Sequence, residues 1–208
     1  SARALGLDAT RTAHAIAIAG TAFNALRVTR TGALSHWKGL AAPNVAGAAL
    51  RTTLLASRGI TGPLEVFEGD KGFMDAVACG FELSWEAEDL ERVTATILKR
   101  HNAEVHAQSV IEAVLALRAR EGVTATEVTR VDVEVFEVAY RIIGGGEEGD
   151  KTVVRTKEEA DHSLPYLVAV ALLDGQVMPE QYRPARIRAA DVQALLRRVM
   201  IRSDEGFS

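Results

Sequence analysis

Two alanine-rich segments open the chain, and they constrain its fold more than any other feature. The first runs from Asp8 to about Arg30, and Asp8 can cap a helix there by accepting from its first free N–H groups. Apolar and small residues recur at helical spacing along this segment. One face of the predicted helix carries only small side chains, which would let another helix approach closely: Ala13, Ala17 and Gly20.

The second segment predicts a helix from Pro43 to about Ser57. Proline suits the first turn of a helix, and Gly59 lies where a C-terminal cap needs a positive φ. The predicted buried stripe consists of Ala46, Ala49, Leu50, Thr53 and Leu54. Two such helices in succession indicate an all-helical layer.

The pattern changes at the turn cluster Arg58–Pro63, which places a domain boundary near residue 62. Residues 1–62 are predicted to form the C-terminal part of a helical domain, and residues 63–208 an α+β domain, with a return of the chain to the helical domain as an open alternative. The second part mixes strand and helix patterns. We expect strands at Thr94–Leu98 and Thr126–Tyr140, the latter with a bulge at Phe136–Glu137, and an unpaired strand at Val199–Arg202. We expect helices at His106–Arg120, Thr156–Gly175 and Ala190–Met200.

Composition excludes several functional classes. The net charge is −4 without a long run of either sign, which argues against nucleic acid or an anionic membrane as partner. The single cysteine, Cys79, excludes a disulfide framework and a thiolate metal site built from this chain alone. No apolar run reaches the roughly 18 residues of a membrane span. We therefore expect a soluble, cytoplasmic protein with no metal.

Four segments combine ionisable side chains with turn residues. SHWKG places His36 and Lys38 just before a helix, where free N–H groups favour an anion. KRHNAEVHAQ gathers basic, acidic and imidazole groups, but its histidines lack the spacing of a zinc motif. FEGDKGF sets Lys71 in a glycine-bounded loop. In each case a solvated surface or a helix cap is the alternative interpretation.

The fourth segment, EADHSLPY, precedes a strongly apolar helix. Asp161 or Ser163 can serve as its N-cap, with His162 as a hydrogen-bonded neighbour. Tyr166 could act in chemistry, or it could be a buried tyrosine with its hydroxyl satisfied, the usual state on an apolar face. Taken alone, none of the four segments specifies a function.

The order of these segments resembles that of the MmgE/PrpD family, whose best-known members are 2-methylcitrate dehydratases. The resemblance rests on WKGLAAPNVAGAALRTTLLASRGITGPLEVFEGDKGF, then LKRHNAEVHAQSVIEAVLAL, then EADHSLPYLVAVALLDG, and it extends over residues 1 to about 202. It implies part of an all-helical domain followed by a smaller α+β lid domain, an active site in the cleft between them, and no metal or organic cofactor.

The same resemblance implies roles for individual residues. It assigns catalysis to Lys38, Lys99, His106, His162 and Tyr166. For substrate binding we predict Glu104 from the same motif match, together with His36 and Lys71 from their turn segments. The pair Glu104 and His106 matches the dehydratase-like version of the second motif, whereas Asn102 stands where the family usually has proline.

The function so implied is a hydro-lyase that dehydrates a small tricarboxylate such as 2-methylcitrate in propionate metabolism. Elimination needs a base for the proton next to a carboxylate and fixed cations around the carboxylate oxygens. A cis-aconitate decarboxylase or an epimerase of the same family is the enzymatic alternative. Because family members are longer, we expect a homodimer or a complementary chain that supplies N-terminal helices, and a non-catalytic fragment or subunit is the third alternative.

Overall fold

The computed structural model describes residues 1–82, 91–146 and 148–207. The chain forms two compact units. The first unit comprises Ser1–Thr29 and Gly39–Thr96, and the second comprises Arg30–Lys38 and Ile97–Ser208. The short segment Arg30–Lys38 therefore belongs with the C-terminal part of the chain, although it lies between the two alanine-rich segments.

Helix α1 spans Ala9–Ala22, and Asp8 caps it as predicted, accepting from the Arg11 N–H at 2.8 Å. The helix ends well before the predicted limit near residue 30. Beyond its end the Asn24 side chain donates to the Gly20 carbonyl at 2.9 Å. Such bonds compete with continuation of the helix, and a separate 3₁₀ helix follows at Arg27–Arg30.

Helix α2 spans Trp37–Ser57, so it begins before the predicted start and contains Pro43 in its interior. The Lys38 N–H donates to the Ser35 carbonyl at 3.1 Å in the turn that starts the helix. Gly59 has the predicted positive φ of 89°. The predicted buried stripe was wrong except for Thr53, since the buried side chains are small ones: Ala41, Ala48, Thr52, Thr53 and Ala56.

The turn cluster after α2 packs against α1. The Gly62 N–H donates to His14 Nδ1 at 3.4 Å, and a Cβ added at Gly62 would lie 2.8 Å from the Ile18 nitrogen. A Cβ on Gly20 would lie 2.9 Å from a methyl group of Val66. The predicted boundary near residue 62 thus falls inside the first unit, and the small-residue face of α1 is covered by the chain itself.

In the second unit the helices form around one buried segment. Helix α3 spans Gln108–Glu121, α4 Glu137–Ala139, α5 Lys157–Ala160, α6 Leu164–Asp174, α7 Pro184–Ile187 and α8 Ala190–Leu196. Shorter 3₁₀ and π turns lie at Val105–Ala107, Tyr140–Gly144, Pro179–Tyr182 and Glu205–Phe207. The first unit also has a π turn at Met74–Ala78 and a 3₁₀ helix at Arg92–Ala95.

A two-stranded parallel sheet pairs β1 (Val131–Val135) with β2 (Val199–Ser203), with Val131 opposite Val199. The terminal strand therefore has a partner, contrary to prediction. The bulge expected after Val135 is absent from the described residues because the strand ends there and α4 begins at Glu137. The strand expected at Thr94–Leu98 was also wrong, since a 3₁₀ helix occupies its start.

Helix α6 lies at the centre of the second unit. Every residue from Leu164 to Leu172 is buried, as expected for a helix that is apolar on all sides. Its neighbours in the core include Ile111 of α3, Val135 of β1 and Leu196 of α8. The predicted fold class, a helical part followed by an α+β part, is confirmed. None of the helices in the described ranges combines the length and apolarity needed to cross a bilayer.

Candidate active site

A buried carboxylate joins the SHWKG and EADHSLPY segments. Lys38, in the first turn of α2, donates from Nζ to Asp161 Oδ1 at 2.8 Å. Lys157 donates to the other oxygen, Oδ2, at 2.5 Å. The ring of His162 lies beside both partners, with Nδ1 2.6 Å from Asp161 Oδ1 and 2.8 Å from Lys38 Nζ. We refer to these four residues as the Asp161 cluster.

Local sequence explains why Asp161 and His162 face these lysines. Thr156 and Glu159 form a capping box that starts α5, with Glu159 Oε2 accepting from the Thr156 N–H at 3.0 Å. Ser163 caps α6 by accepting from the Tyr166 N–H at 3.1 Å. Because Ser163 takes the capping role, one of the two predicted options, Asp161 is left to bind cations.

The electrostatics of the cluster follow from burial and pairing. Burial alone would raise the pKa of Asp161, but hydrogen bonds from His162, Lys157 and Lys38 outweigh it and hold that pKa well below its usual range. Burial lowers the pKa of Lys38, and the bond to Asp161 only partly offsets this effect. Asp161 is therefore a permanent anion at neutral pH, and Lys38 is a stronger acid than an exposed lysine.

The two contacts at His162 Nδ1 require different protonation states. When Nδ1 carries a proton it donates to Asp161 Oδ1, and when Nδ1 is bare it accepts from the Lys38 ammonium. A proton can therefore pass between His162 and Lys38 over a single 2.8 Å contact. The arrangement therefore places a potential acid and a potential base in direct contact.

The second sequence segment lies next to the cluster. The Glu104 N–H donates to the Asp161 carbonyl at 3.1 Å, and Glu104 Oε2 accepts from the His106 N–H at 2.6 Å as a helix cap. Lys99 Nζ donates to the Ala103 carbonyl at 3.0 Å. Asn102, which stands where the family usually has proline, donates its N–H to the Val177 carbonyl at 3.2 Å, a bond that proline cannot make.

These segments line a pocket of about 710 Å³ within the second unit. Five basic side chains and two carboxylates face it, together with two imidazoles. The lining includes Arg30, Lys38, Lys99, Arg100, His101, Glu104, Lys157, Asp161 and His162. Because Asp161 is shared by two lysines and Glu104 caps a helix, the basic side chains are in excess. The pocket suits a small molecule with several negative charges.

The structure separates the predicted site residues into groups. Lys38, Lys99, Glu104 and His162 line the pocket, whereas His36, His106 and Tyr166 are not among its lining residues. The ring of His106 packs edge-on against Phe136, with centroids 5.1 Å apart. His36 is 81% exposed and contacts Glu158 Oε2 at 3.0 Å. Lys71 lies in the first unit, in a turn where its N–H donates to Asp75 at 3.1 Å.

Tyr166 fits the buried alternative. It is 0% exposed within the core, and its hydroxyl donates to the Gln181 carbonyl. Burial raises its pKa well above the usual range. This position favours a structural role for Tyr166, the alternative interpretation, and its catalytic role stays a prediction.

Sequence reasoning missed three charged residues of the pocket. Asp161 was considered only as a cap, although Lys157 stands four residues before it, the spacing of a helical ion pair. Arg30 carries no local signal, because only the fold assigns its segment to the second unit. Among the residues that the structure describes, no group of three or more histidine, cysteine and acidic side chains could hold a metal ion.

The pocket thus combines excess basic side chains with one buried carboxylate, an arrangement that suits a small polyanion. Sequence profiles then identify the family. The MmgE/PrpD C-terminal domain matches residues 101–208, more than half of the chain, and the MmgE/PrpD N-terminal domain matches residues 1–86. The chain belongs to the MmgE/PrpD family.

Several curated relatives are similar over the whole chain. The 2-methylcitrate dehydratases of Salmonella typhimurium and Escherichia coli strain K12 are each 26% identical over 217 residues, covering 100% of this chain and 43% of theirs. The mitochondrial 2-methylcitrate dehydratase of Yarrowia lipolytica is 26% identical over 214 residues, covering 98% of this chain and 40% of its own. The chain thus spans less than half the length of these relatives.

Proposed function

We propose that the protein is a hydro-lyase that removes water from a small tricarboxylate of the 2-methylcitrate type. The observation that carries the proposal is the Asp161 cluster, which supplies both an acid and a base to a strongly basic pocket. The relatives named 2-methylcitrate dehydratase support the same reaction class.

Substrate binding is assigned to the excess basic side chains. A tricarboxylate carries three negative groups, and Lys38, Lys99 and Arg30 offer three cations on the pocket lining. Lysine acts as a compact point charge, whereas the planar guanidinium of Arg30 can hold a carboxylate by two parallel hydrogen bonds. Charge that develops on the carboxylate next to the lost proton is stabilised by these fixed cations.

The chemical steps are assigned to His162 and Lys38. His162, with its Nδ1 proton held by Asp161, uses Nε2 to remove the proton from the carbon next to a carboxylate. The electron pair forms the double bond as the neighbouring hydroxyl departs. Lys38 protonates that hydroxyl, a role favoured by its lowered pKa. The Nδ1 proton of His162 then passes to Lys38, and exchange with solvent removes the proton from Nε2 and returns one to Nδ1, which restores both groups.

Partners and cellular context are part of the same proposal. The partner is a second copy of the chain or a complementary chain that supplies helices, and the supporting observation is a set of exposed apolar residues on α2, Leu50, Leu54 and Leu55. The context is propionate metabolism in the cytoplasm. The mass of the native species, measured by light scattering, tests the partner directly, because a 22.3 kDa monomer would contradict it.

The reaction is tested by incubating the native protein with 2-methylcitrate and following the product by NMR. We expect Lys38→Met to lower kcat by about 10²-fold or more and to raise KM, since acid and cation are both lost. Lys38→Arg keeps the cation but removes the acid, so kcat falls while KM changes little. Arg120→Met, which removes an exposed cation of α3, is the matched control and should behave as the wild type.

The same experiment separates the alternatives. Turnover of cis-aconitate with release of CO₂, and none of 2-methylcitrate, would replace the hydro-lyase by a decarboxylase. Wild-type activity in both Lys38 variants would remove the Asp161 cluster from the mechanism. Loss of secondary structure in a variant is checked by circular dichroism, so that a folding defect is not counted as a catalytic one.

A further inference from the structure

A second pocket of about 350 Å³ lies in the second unit, apart from the basic pocket. Its lining shares no residue with that of the first and includes Leu34, Glu148, Lys151, Val154 and Glu159. Lys151 is only 7% exposed. Within residues 1–82, 91–146 and 148–207, no hydrogen bond or ion pair reaches its ammonium group. Most of the Lys151 side chain is therefore buried, but its ammonium group is not fully shielded, so a small ligand in this pocket can reach it.

The backbone around Lys151 is firmly anchored. The Ser163 hydroxyl donates to the Lys151 carbonyl at 2.5 Å, which ties this residue to the start of α6. Asp150 Oδ1 accepts from both the N–H and the hydroxyl of Thr152 at 2.7 Å. Lys151 is therefore held at the pocket by contacts on both sides, unlike a lysine on a free loop.

The surroundings favour an amine that can react. Burial lowers the pKa of Lys151, and the nearby charge of Lys38 acts in the same direction. Glu148 and Glu159 oppose this shift through their negative charges. The net effect is a larger fraction of neutral amine than an exposed lysine has, while two carboxylates remain close enough to stabilise a cation formed at the same nitrogen.

The lining limits which ligands fit. Its carboxyl-bearing residues, Glu148, Asp150 and Glu159, repel a small anion, and the lysine repels a cation. Leu34, Val153 and Val154 add apolar surface. The ligand class that fits this lining is therefore a neutral molecule with a short apolar chain. We propose that Lys151 binds a small neutral aldehyde or ketone by forming a reversible Schiff base.

Formation of the Schiff base needs no reagent besides the carbonyl compound. The amine lone pair attacks the carbonyl carbon, a C–N bond forms, and the carbonyl oxygen takes up a proton. The C–O bond of this carbinolamine then breaks, and oxygen leaves as water with a second proton. The product is a protonated imine, so the positive charge of the original ammonium is kept beside Glu148 and Glu159. Acylation or carbamate formation would instead remove that charge and leave the carboxylates uncompensated.

The test uses the intact chain, which has five lysines. The protein is incubated with propionaldehyde and sodium cyanoborohydride at neutral pH, and the reduced adducts are located by peptide mass spectrometry over time. We expect Lys151 to be modified faster than the exposed Lys99, since burial lowers the pKa of Lys151 and so increases its neutral fraction. Modification of Lys151 at the rate of Lys99, or more slowly, would overturn the proposal.

Two variants separate the pocket from general reactivity. Val153→Trp adds bulk at a half-exposed position of the lining and should slow modification of Lys151 while leaving that of Lys99 unchanged. An unchanged rate at Lys151 would show that the aldehyde does not enter through this pocket and would contradict the proposal. Lys151→Met should abolish the adduct on its peptide and leave modification of Lys99 unchanged. These readouts are independent of the proposed hydro-lyase activity.

Discussion

The two compact units bury different kinds of side chain. In the second unit, α6 buries every residue from Leu164 to Leu172, most of them large and apolar. In the first unit, α2 buries only alanine and threonine, while Leu50 and Leu54 are 48% and 41% exposed. Large aliphatic side chains supply most of the hydrophobic free energy. The second unit therefore has a complete core of its own, whereas the first unit depends on close contacts between small residues.

This contrast also explains where the candidate site lies. The basic pocket and the Asp161 cluster belong entirely to the second unit, next to the cap of its most buried helix. A buried carboxylate with three donors needs a rigid frame, because each charge is stable only while its partners stay in place. The first unit offers exposed apolar surface instead, which suits association better than catalysis.

The largest expected difference is in the response to truncating leucine. Leu167→Ala, at a fully buried position of α6, should lower the free energy of unfolding by about 2–5 kcal/mol. Leu40→Ala, at an exposed position of α2 that is not part of the proposed partner surface, should change it by less than about 0.5 kcal/mol. Urea unfolding of both variants measures the difference. Equal losses of unfolding free energy would mean that the leucines of α2 are buried in solution, which would contradict the difference between the two units.

A smaller effect tests the close packing of the first unit. Gly62→Ala should destabilise by about 1–3 kcal/mol, because its Cβ would collide with the backbone of Ile18. Gly47→Ala should stabilise by about 0.5–1 kcal/mol, since no atom lies within 4 Å of the added Cβ and the position is inside α2. Thermal unfolding of the two variants shows whether each substitution raises or lowers the stability. Stabilisation by Gly62→Ala would show that this turn does not pack against α1.

The smallest expected effect is on how the stability of the second unit depends on pH. The lowered pKa of Asp161 contributes stability that is complete above its unfolded value of about 3.9 and is lost as pH falls through its folded value. Asp161→Asn should reduce the slope of unfolding free energy against pH below about pH 4, by at most about 1.4 kcal/mol per pH unit.

The control for this measurement is Asp132→Asn. Asp132 also has a lowered pKa, through its hydrogen bond from Arg130, but it lies on the surface. Because solvent screens a surface pair, its removal should reduce the slope less than Asp161→Asn does. If both variants reduce the slope equally, the buried position of Asp161 does not increase its contribution to the acid stability of the protein.

Local signals in the sequence predicted much of the fold. Asp8 capped α1, Gly59 took a positive φ, and Ser163 capped α6 with Pro165 in its first turn. These features depend on residues next to one another in the chain. Helix limits and buried faces were less predictable, because they depend on distant contacts. Gly62 and Val66 decide which face of α1 is covered, and no pattern within α1 itself contains that information.

The same distinction holds for the site. The motifs located Lys38, Lys99, Glu104 and His162, and the structure brings these onto one pocket. Sequence could not show that Tyr166 donates its hydroxyl to Gln181 inside the core. It also could not show that the carboxylate of Asp161, 123 residues from Lys38, would accept from it. The resemblance identified the segments that form the site. Which atoms of these segments interact is determined by tertiary contacts.

The most direct test of the account is binding of 2-methylcitrate to the native protein, measured by titration calorimetry. We expect Lys38→Met to weaken binding by about 10- to 100-fold, which corresponds to the loss of one charge-assisted hydrogen bond. Arg120→Met should leave the affinity unchanged. Equal affinity in the wild type and in Lys38→Met would contradict the claim that the basic pocket of the second unit holds the substrate.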